Sequence, residues 1–448
     1  MKIAIVGAGV SGLTAAHYLQ RSHQVVLFEG ERQPGGHTHT VDVMEGERPV
    51  PVDTGFIVFN TKTYPGFVRL LGELGVAWSR SDMSLSVRSE RRNFEYSSRG
   101  LAGLFAQPWR AFSPRHWRMA RDILRFYREA EELLAPGEEQ PLGEWLRDRR
   151  YSDAFIEDHF IPLVRAVWSS NRARAEAFPA RFLARFFANH GFLQLRNAPP
   201  WLSIPGGSRT YVRAILAGLN AEVRLGEPVR SVRRDNGTVT LRFDATEPET
   251  FDHVIFACHS DQALRLLEDP SPTEQALLGA IPYQANEVAL HIDERLMPTR
   301  RFAWASWNAH LDADETDGAC LTYWMNRLQP LEAKRNYFVT LNRTDQIRPD
   351  RVLYTKRFDH PIFSVHSAAA QSRHRELIGH RASSYCGAYW GNGFHEDGVQ
   401  SALRVVEAIG AERQILDSAR GNRGRWNAAS AENSPRPRDA SPGVQRVA

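Results

Sequence analysis

Cysteine is nearly absent from this chain. Three residues among 448, Cys258, Cys320 and Cys386, form no pairing framework and no metal-ligand spacing. That excludes a disulfide scaffold, leaves no metal site to expect, and fits a reducing cytoplasm. Long apolar runs are missing too: none approaches the ~20 residues needed to cross a bilayer. Lysine is confined to Lys2, Lys62, Lys334 and Lys356, so arginine carries most of the positive charge. The net charge of +4 is too small to argue for nucleic acid, and no nucleic-acid motif appears. No nucleic-acid partner is expected. There is no internal repeat. At 448 residues the chain exceeds one ordinary core, so two domains are expected.

What is present is concentrated at the start. Lys2 to Val6 is a short apolar run ending on Gly7-Ala8-Gly9-Val10-Ser11-Gly12. An apolar stretch of helical period follows through Leu13, Ala16 and Leu19. A second apolar run, Val25 to Phe28, ends on Glu29. Strand, glycine turn, helix, strand and acid make the dinucleotide-binding fingerprint in its required context. Gly7 permits the tight turn, Gly9 lets backbone approach a pyrophosphate, and Gly12 lets the helix pack close to the strand. The helix start at Val10 and Ser11 offers N–H groups to phosphate. Glu29 stands where a ribose-hydroxyl acceptor is expected. Met1-Lys2 before an apolar run has the look of a signal peptide, but cleavage there would destroy the site, so the run is read as the first strand.

The residues that follow separate FAD from NAD. Gly35-Gly36-His37 comes after a short polar stretch, then Val52-Asp53-Thr54-Gly55-Phe56. Late in the chain Ser384 to Leu403 contains Gly387-Ala388-Tyr389-Trp390-Gly391-Asn392-Gly393-Phe394-His395-Glu396-Asp397-Gly398-Val399. With these motifs the chain resembles the flavin-containing amine oxidase and phytoene desaturase superfamily. The resemblance implies FAD as cofactor. It places Gly35, Gly36 and His37 by the phosphates, Thr54, Gly55 and Phe56 by the flavin ring, and Val229 over the adenine. It places Gly387 by the pyrophosphate, and the N–H groups of Gly398 and Val399 by the pyrimidine end of the flavin. Two departures from the superfamily pattern concern charge: where arginines are frequent, Gly30-Glu31-Arg32-Gln33-Pro34 holds one, and His37 replaces the common arginine after the double glycine. Phosphate neutralisation is therefore expected to rest on the helix start, with Arg32 as helper. A third departure is Ala388, where an acid is frequent.

The implied fold is α/β. A discontinuous Rossmann-type FAD-binding domain (1–80, 195–262 and 376–418) joins a mixed α+β, amine-oxidase-like substrate domain (81–194 and 263–375). Residues 419–448, rich in Arg, Ser, Pro and Asn without apolar period, read as a disordered basic tail.

A flavin brings its own chemistry, so the protein must hold a C–H bond near it and exclude water. The expected wall includes Phe59, Asn60 and Tyr64, then Tyr389, Trp390, Phe394 and His395, then Trp168, Tyr323, Trp324 and Asn326. His395 is the candidate for proton work, because imidazole titrates near neutrality. Phe394 falls where the superfamily's amine oxidases place one tyrosine of an aromatic cage. Those oxidases also use a substrate-domain lysine near the flavin, and of the two lysines there only Lys356 stays open as a candidate.

A lipid substrate has separate support. From His116 to Leu134, Met119, Ile123, Phe126 and Ala130 share one helical face, and Arg118, Arg121, Arg125 and Arg128 the other. Leu101, Leu104, Phe105, Trp109 and Phe112 lie just before. Basic residues beside aromatics suit a membrane surface, which predicts peripheral contact on the cytoplasmic side, while a solvated arginine face is the simpler alternative. The run GGHTHTV, VDTGFIVFN and YCGAYWGNGFHEDG is similar to a bacterial subgroup of NAD/FAD-binding oxidoreductases associated with cyclopropane-fatty-acid-synthase-type lipid methyltransferases. That similarity implies a fatty-acyl or phospholipid substrate and a lipid methyltransferase partner. The leading expectation is an FAD-dependent desaturase or dehydrogenase of modified fatty acids. The alternatives are a fatty-acid double-bond isomerase, an amine oxidase, and a flavin-bound accessory protein.

Overall fold

A computed structural model describes residues 1–90, 92–135, 137–168, 172–189, 199–311 and 320–410. The proposed tail at 419–448 lies outside the described residues.

Lys2–Val6, the first strand of the chain, is the centre of a five-stranded parallel sheet in the order Glu222–Leu225, Gln24–Glu29, Lys2–Val6, His253–Phe256, Ser383–Tyr385. A parallel strand buried on both faces has no polar side to show. Here alternate residues feed two different cores. Ile3, Ile5, Val25, Leu27 and Ile255 enter one. Ala4, Val6, Val26, Phe28, Val254 and Phe256 enter the other. The first core is covered by helix Val10–Leu19, through Leu13 and Ala16, and by helix His395–Ile409, through Val399, Ala402, Val405 and Val406. The second is covered by the antiparallel sheet of Ser231–Asp235, Thr238–Arg242 and Glu249–Phe251.

A second, seven-stranded sheet is mostly antiparallel. Its order is Val352–Pro361, Tyr283–His291, Phe338–Leu341, Cys320–Trp324, Trp307–Leu311, Leu85–Ser89, Phe94–Ser97, and only Trp307–Leu311 runs parallel to Leu85–Ser89. A helical layer follows, with an aromatic core of Phe126, Trp145, Tyr151, Phe155, Phe160 and Phe187. Helix Pro114–Glu129 starts at Ser113, whose hydroxyl accepts from His116 N, with Pro114 in the first turn. Its stripe of Met119 and Phe126 faces inward, and Ala130 just beyond is buried as well. That stripe is core, so it does not itself meet a membrane. On the outer face Arg125 folds back to Glu129 and over the Tyr151 ring.

Many histidines are buried as neutral rings. His159 shares a 2.6 Å bond with Tyr96 Oη, His291 a 2.7 Å bond with Thr340 Oγ1, and His374 donates to Tyr385 O at 2.6 Å. Burial pushes each of these, and His253, down to about 4 from 6.5. In the unfolded chain the same rings titrate near the ordinary value. Between the two values the unfolded state binds more protons, so this stability is complete above about 6.5 and is lost as pH falls through the window. Buried carboxyls with raised pKa values, Asp53, Glu396 and Asp397, gain stability over the same fall in pH and partly offset this loss. The melting temperature is expected to drop from pH 7 to pH 5 in calorimetry because the histidines outnumber them, and a rising profile would contradict the neutral burial.

Candidate functional site

The glycine turn closes as its sequence requires. A Cβ on Gly12 would lie 1.9 Å from Gly7 O, so helix and strand touch through this position. A Cβ on Gly9 would meet nothing within 4 Å. Gly9 is thus not a packing residue; it leaves open the space in front of the helix. Helix Val10–Leu19 has no side-chain cap. Its first N–H groups keep their capacity for an anion. Gly35 N donates to Ala8 O at 2.8 Å, which lays the double glycine beside this turn.

One cavity of about 550 Å³ runs from this cradle into the second sheet. Gly7, Gly9, Val10, Ser11, Glu29, Gly35, Gly36 and His37 line it at one end. Glu29 accepts from Ala8 N at 2.8 Å and Glu31 N at 2.9 Å. Thr54, Gly55 and Phe56 line its middle with Gly387, Ala388, Tyr389, Phe394 and His395. Gly55 is forced: a Cβ there would lie 2.1 Å from His37 O, to which Phe56 N donates. Val58, Met83, Phe186, Val288, Trp307, Tyr323, Leu328 and Leu341 line the far end.

These residues fit a flavin dinucleotide. Uncapped N–H groups face space that a glycine leaves open, an acid stands at the second strand's end, and an aromatic-walled chamber follows. Tyr389 lines the cavity, and its buried hydroxyl has no partner among the described residues. Three histidines, His37, His259 and His360, stand near one another on the same wall. Sequence reasoning missed His259 and His360, which lie far apart in the chain and meet only when the second sheet is laid down. Arg32, the expected phosphate helper, is exposed and does not line the cavity.

His395 is fixed rather than free. Its ring stacks on Phe56 at 3.6 Å, and Nε2 meets Tyr211 Oη at 2.8 Å and Thr38 Oγ1 at 3.1 Å. Burial pushes its pKa down to about 3, so it does not titrate near neutrality, contrary to the sequence expectation. Its neighbours are structural. Glu396, pushed up to about 7 by burial, accepts from Gly66 N and Phe67 N and caps helix Pro65–Glu73. Asp397, pushed up to about 6 by burial, accepts from Asn392 N and Phe394 N.

Several expected residues sit elsewhere. Trp390 stacks on His374 and is buried in the second core, so it is not part of the cavity wall. Val229 is in that core beside Phe28 and does not line the cavity. Gly398 and Val399 do not line it either. A Cβ on Gly398 would lie 2.7 Å from Val10 Cγ1, and Ser11 Oγ donates to Gly398 O at 3.0 Å. Gly398 therefore lets the two helices of the first core touch, and its own N–H donates to Phe394 O. Phe59 and Asn60 are buried and off the wall, while Tyr64 lines it. Trp324 Nε1 donates to Asn336 Oδ1, and Asn326 Nδ2 to Arg335 O, so both brace a turn. The side chain of Trp168 lies outside the described residues. Lys356 lines the cavity beside the cradle residue Glu31, whose Oε2 it binds at 2.8 Å.

Residues 10–304 match the family model described as flavin containing amine oxidoreductase. The chain belongs to that family. Its usual cofactor is FAD, which the cavity fits. Among curated relatives, the chain is 27% identical over 305 residues to a Mycobacterium tuberculosis protein named "Putative flavin-containing monoamine oxidase AofH". The match covers 62% of this chain and spans only 61% of that relative's length. Cyclohexylamine oxidase from Brevibacterium oxydans IH-35A superposes with TM-score 0.66 at 16% identity, covering 92% of this chain and 99% of that one. A CLA-producing fatty acid isomerase from P. acnes superposes with TM-score 0.64 at 14% identity, covering 90% and 97%. These likenesses establish the amine-oxidase-like α/β fold.

Two substitutions separate cradle from scaffold. Gly9→Val is expected to fold with wild-type melting temperature when flavin-free, yet to lose FAD, read by absorbance after gel filtration. Gly12→Val is expected to fail at folding itself. Equal flavin content in Gly9→Val and wild type would remove the cofactor from this end of the cavity.

Asp53 is fully buried, and burial pushes its carboxyl up to about 7. It accepts from Thr40 Oγ1, Ser208 N, Ser208 Oγ and Gln329 Nε2. Asp53→Asn replaces an acceptor by a donor facing donors. A loss of about 1–3 kcal/mol is expected in urea unfolding, together with weaker FAD retention. Unchanged values for both would show that Asp53 does not hold the Gly55 loop.

Proposed function

We propose that the protein is an FAD-dependent oxidoreductase that removes hydride from an uncharged apolar substrate, a fatty-acyl chain. The carrying observation is the character of the chamber beyond Phe56. Among the described residues, the acids that line the cavity are Glu29, Glu31 and Asp359. Glu29 is bound to backbone N–H groups, Glu31 to Lys356, and Asp359 lies beside Arg357. None is offered to an ammonium group in the chamber. Burying a charge without a partner is costly, so an apolar chain is the better occupant. The lysine used by the superfamily's amine oxidases has no counterpart here either. Lys356 is held by Glu31 of the cradle, and Lys334, whose N–H binds Glu45, is not on the wall.

When bound, FAD supplies the hydride acceptor. The chain's own residues do the rest. Phe186, Phe394, Trp307 and Tyr323 exclude water, and Phe186 stacks on Phe394 at 5.0 Å. His395 presents an uncharged imidazole, locked at Nε2 by Tyr211 and Thr38. A proton beside a carbon that has lost hydride is strongly acidic. A weakly basic ring is therefore sufficient as its acceptor, and we assign that role to His395.

The family and fold support the redox class. A fatty acid isomerase stands among the similar structures and is consistent with an acyl substrate, as the cyclohexylamine oxidase is with the amine alternative. In the proposed setting, desaturation accompanies lipid methylation by a cyclopropane-fatty-acid-synthase-type methyltransferase in the cytoplasm.

Anaerobic mixing of the holoprotein with fatty-acyl phospholipids, and separately with primary amines, tests this reading. Acyl lipid is expected to bleach the flavin until an electron acceptor is added, and amines to leave it oxidised. Bleaching by amines alone would overturn the proposal. Rearranged acyl product without net bleaching would make the protein an isomerase.

A further inference from the structure

Five large apolar side chains stand in solvent on one face of the helical layer: Leu101 at 77% exposure, Trp109 at 50%, Phe112 at 89%, Trp117 at 53% and Phe302 at 70%. Exposed apolar residues scattered singly need no explanation. These are gathered. Helix Gly100–Leu104 packs against the turn Arg301–Ala303. Ser97 Oγ donates to Phe302 O at 3.2 Å, which ties that turn to the strand leading into residue 100. Trp117 Nε1 donates to Ala111 O at 2.8 Å, and the Arg300 guanidinium lies over the Trp109 ring at 5.3 Å.

The protrusion is built, not loose. Beneath it Gln107 is buried, donates to Asn93 O and accepts from Glu95 N, and His116 Nε2 donates to Leu104 O at 2.9 Å. The backbone that carries Trp109 and Phe112 is therefore anchored while their rings point away from the core.

The rim is cationic. Arg99, Arg118 and Arg300 are exposed and Arg110 is half-buried. None of the four guanidiniums pairs with a carboxylate among the described residues: Arg99 donates to Trp304 O, Arg118 to Pro114 O, and Arg110 to Gln107 Oε1 and the carbonyls of Arg92 and Asn93, while Arg300 binds the buried Glu95 through its backbone N–H alone. Tryptophan and arginine around an apolar tip suit the headgroup region of a bilayer, with the rings at the acyl boundary and the guanidiniums at phosphate depth. No described helix is long and apolar enough to cross a membrane, so the contact is one of surface insertion.

We propose that the face formed by residues 99–118 and 300–302 docks on a bilayer that carries anionic phospholipid headgroups. This does not depend on the substrate proposed above. The test is flotation of the FAD-loaded full chain with phosphatidylcholine vesicles, with and without phosphatidylglycerol. The wild type is expected to float with the phosphatidylglycerol vesicles and to be released by salt. The double variant Phe112→Ser/Phe302→Ser is expected to lose about tenfold in bound fraction, and Arg118→Gln/Arg300→Gln to lose the preference for phosphatidylglycerol. All these side chains are exposed, so flavin content and melting temperature should match wild type in both variants. A wild type that stays unbound at low salt, or a Phe112→Ser/Phe302→Ser variant that binds as well as wild type, would overturn the proposal. So would a concentration-dependent dimer by light scattering that the phenylalanine variant dissolves, since the face would then be an interface between copies of the chain.

Discussion

Asp53 collects hydrogen bonds from three stretches of chain that are far apart in sequence. Thr40 comes from the facing strand of its own hairpin, Ser208 from the start of helix Arg209–Ala217, and Gln329 from the end of the second sheet's Met325–Leu328 turn. Gln329 is bound twice, since its Oε1 also accepts from Asp53 N at 2.9 Å. A buried carboxylate is tolerated only with such a set of donors. Satisfying it forces the cofactor-side helix, the hairpin and the substrate-side sheet into one arrangement. The next residues, Thr54, Gly55 and Phe56, are the middle of the cavity wall. The alignment of cradle with chamber therefore depends on one side chain that touches neither.

The same logic explains the glycines. Gly12, Gly55 and Gly398 are places where backbone or side chain would collide with a Cβ, and each brings two elements into contact. Gly9 is the opposite case, with empty space where a Cβ would stand. A motif that reads as one string of glycines thus divides into residues that build the scaffold and a residue that leaves room.

The scaffold was legible because its signals are local. Lys2–Val6, the glycine turn and Gln24–Glu29 form from neighbours in sequence, and the alternation of Ile3, Ala4, Ile5 and Val6 between two cores follows from strand geometry. The helix of Met119 and Phe126 was legible as a helix, though its surroundings were not, because an inward stripe and a membrane-facing stripe have the same period. Trp390 was misplaced for a related reason: adjacency to Phe394 and His395 in sequence says nothing about which side of a glycine-rich loop a ring takes. Gly391, between them, sits where a Cβ would strike the Asp397 carboxylate, and across this bend Trp390 turns to His374 while Phe394 turns to Phe186. The histidine wall of His37, His259 and His360 required three non-local segments and had no sequence signal.

Burial also changes what the site's polar groups can be. His395 reads from sequence as a titrating base, and in the fold it is an uncharged ring held by two hydroxyls and a phenylalanine face. The low dielectric that removes its charge comes from the same aromatic wall that suits an apolar chain. Chamber and histidine are therefore not independent choices. A chamber polar enough to keep His395 protonated at neutral pH would hold water against the reacting carbon, and one dry enough to hold an acyl chain must leave the imidazole neutral. In the reaction proposed above, such a dry chamber would pair a strongly acidic leaving proton with a weak, fixed acceptor, and it would disfavour a cationic amine for the same electrostatic reason.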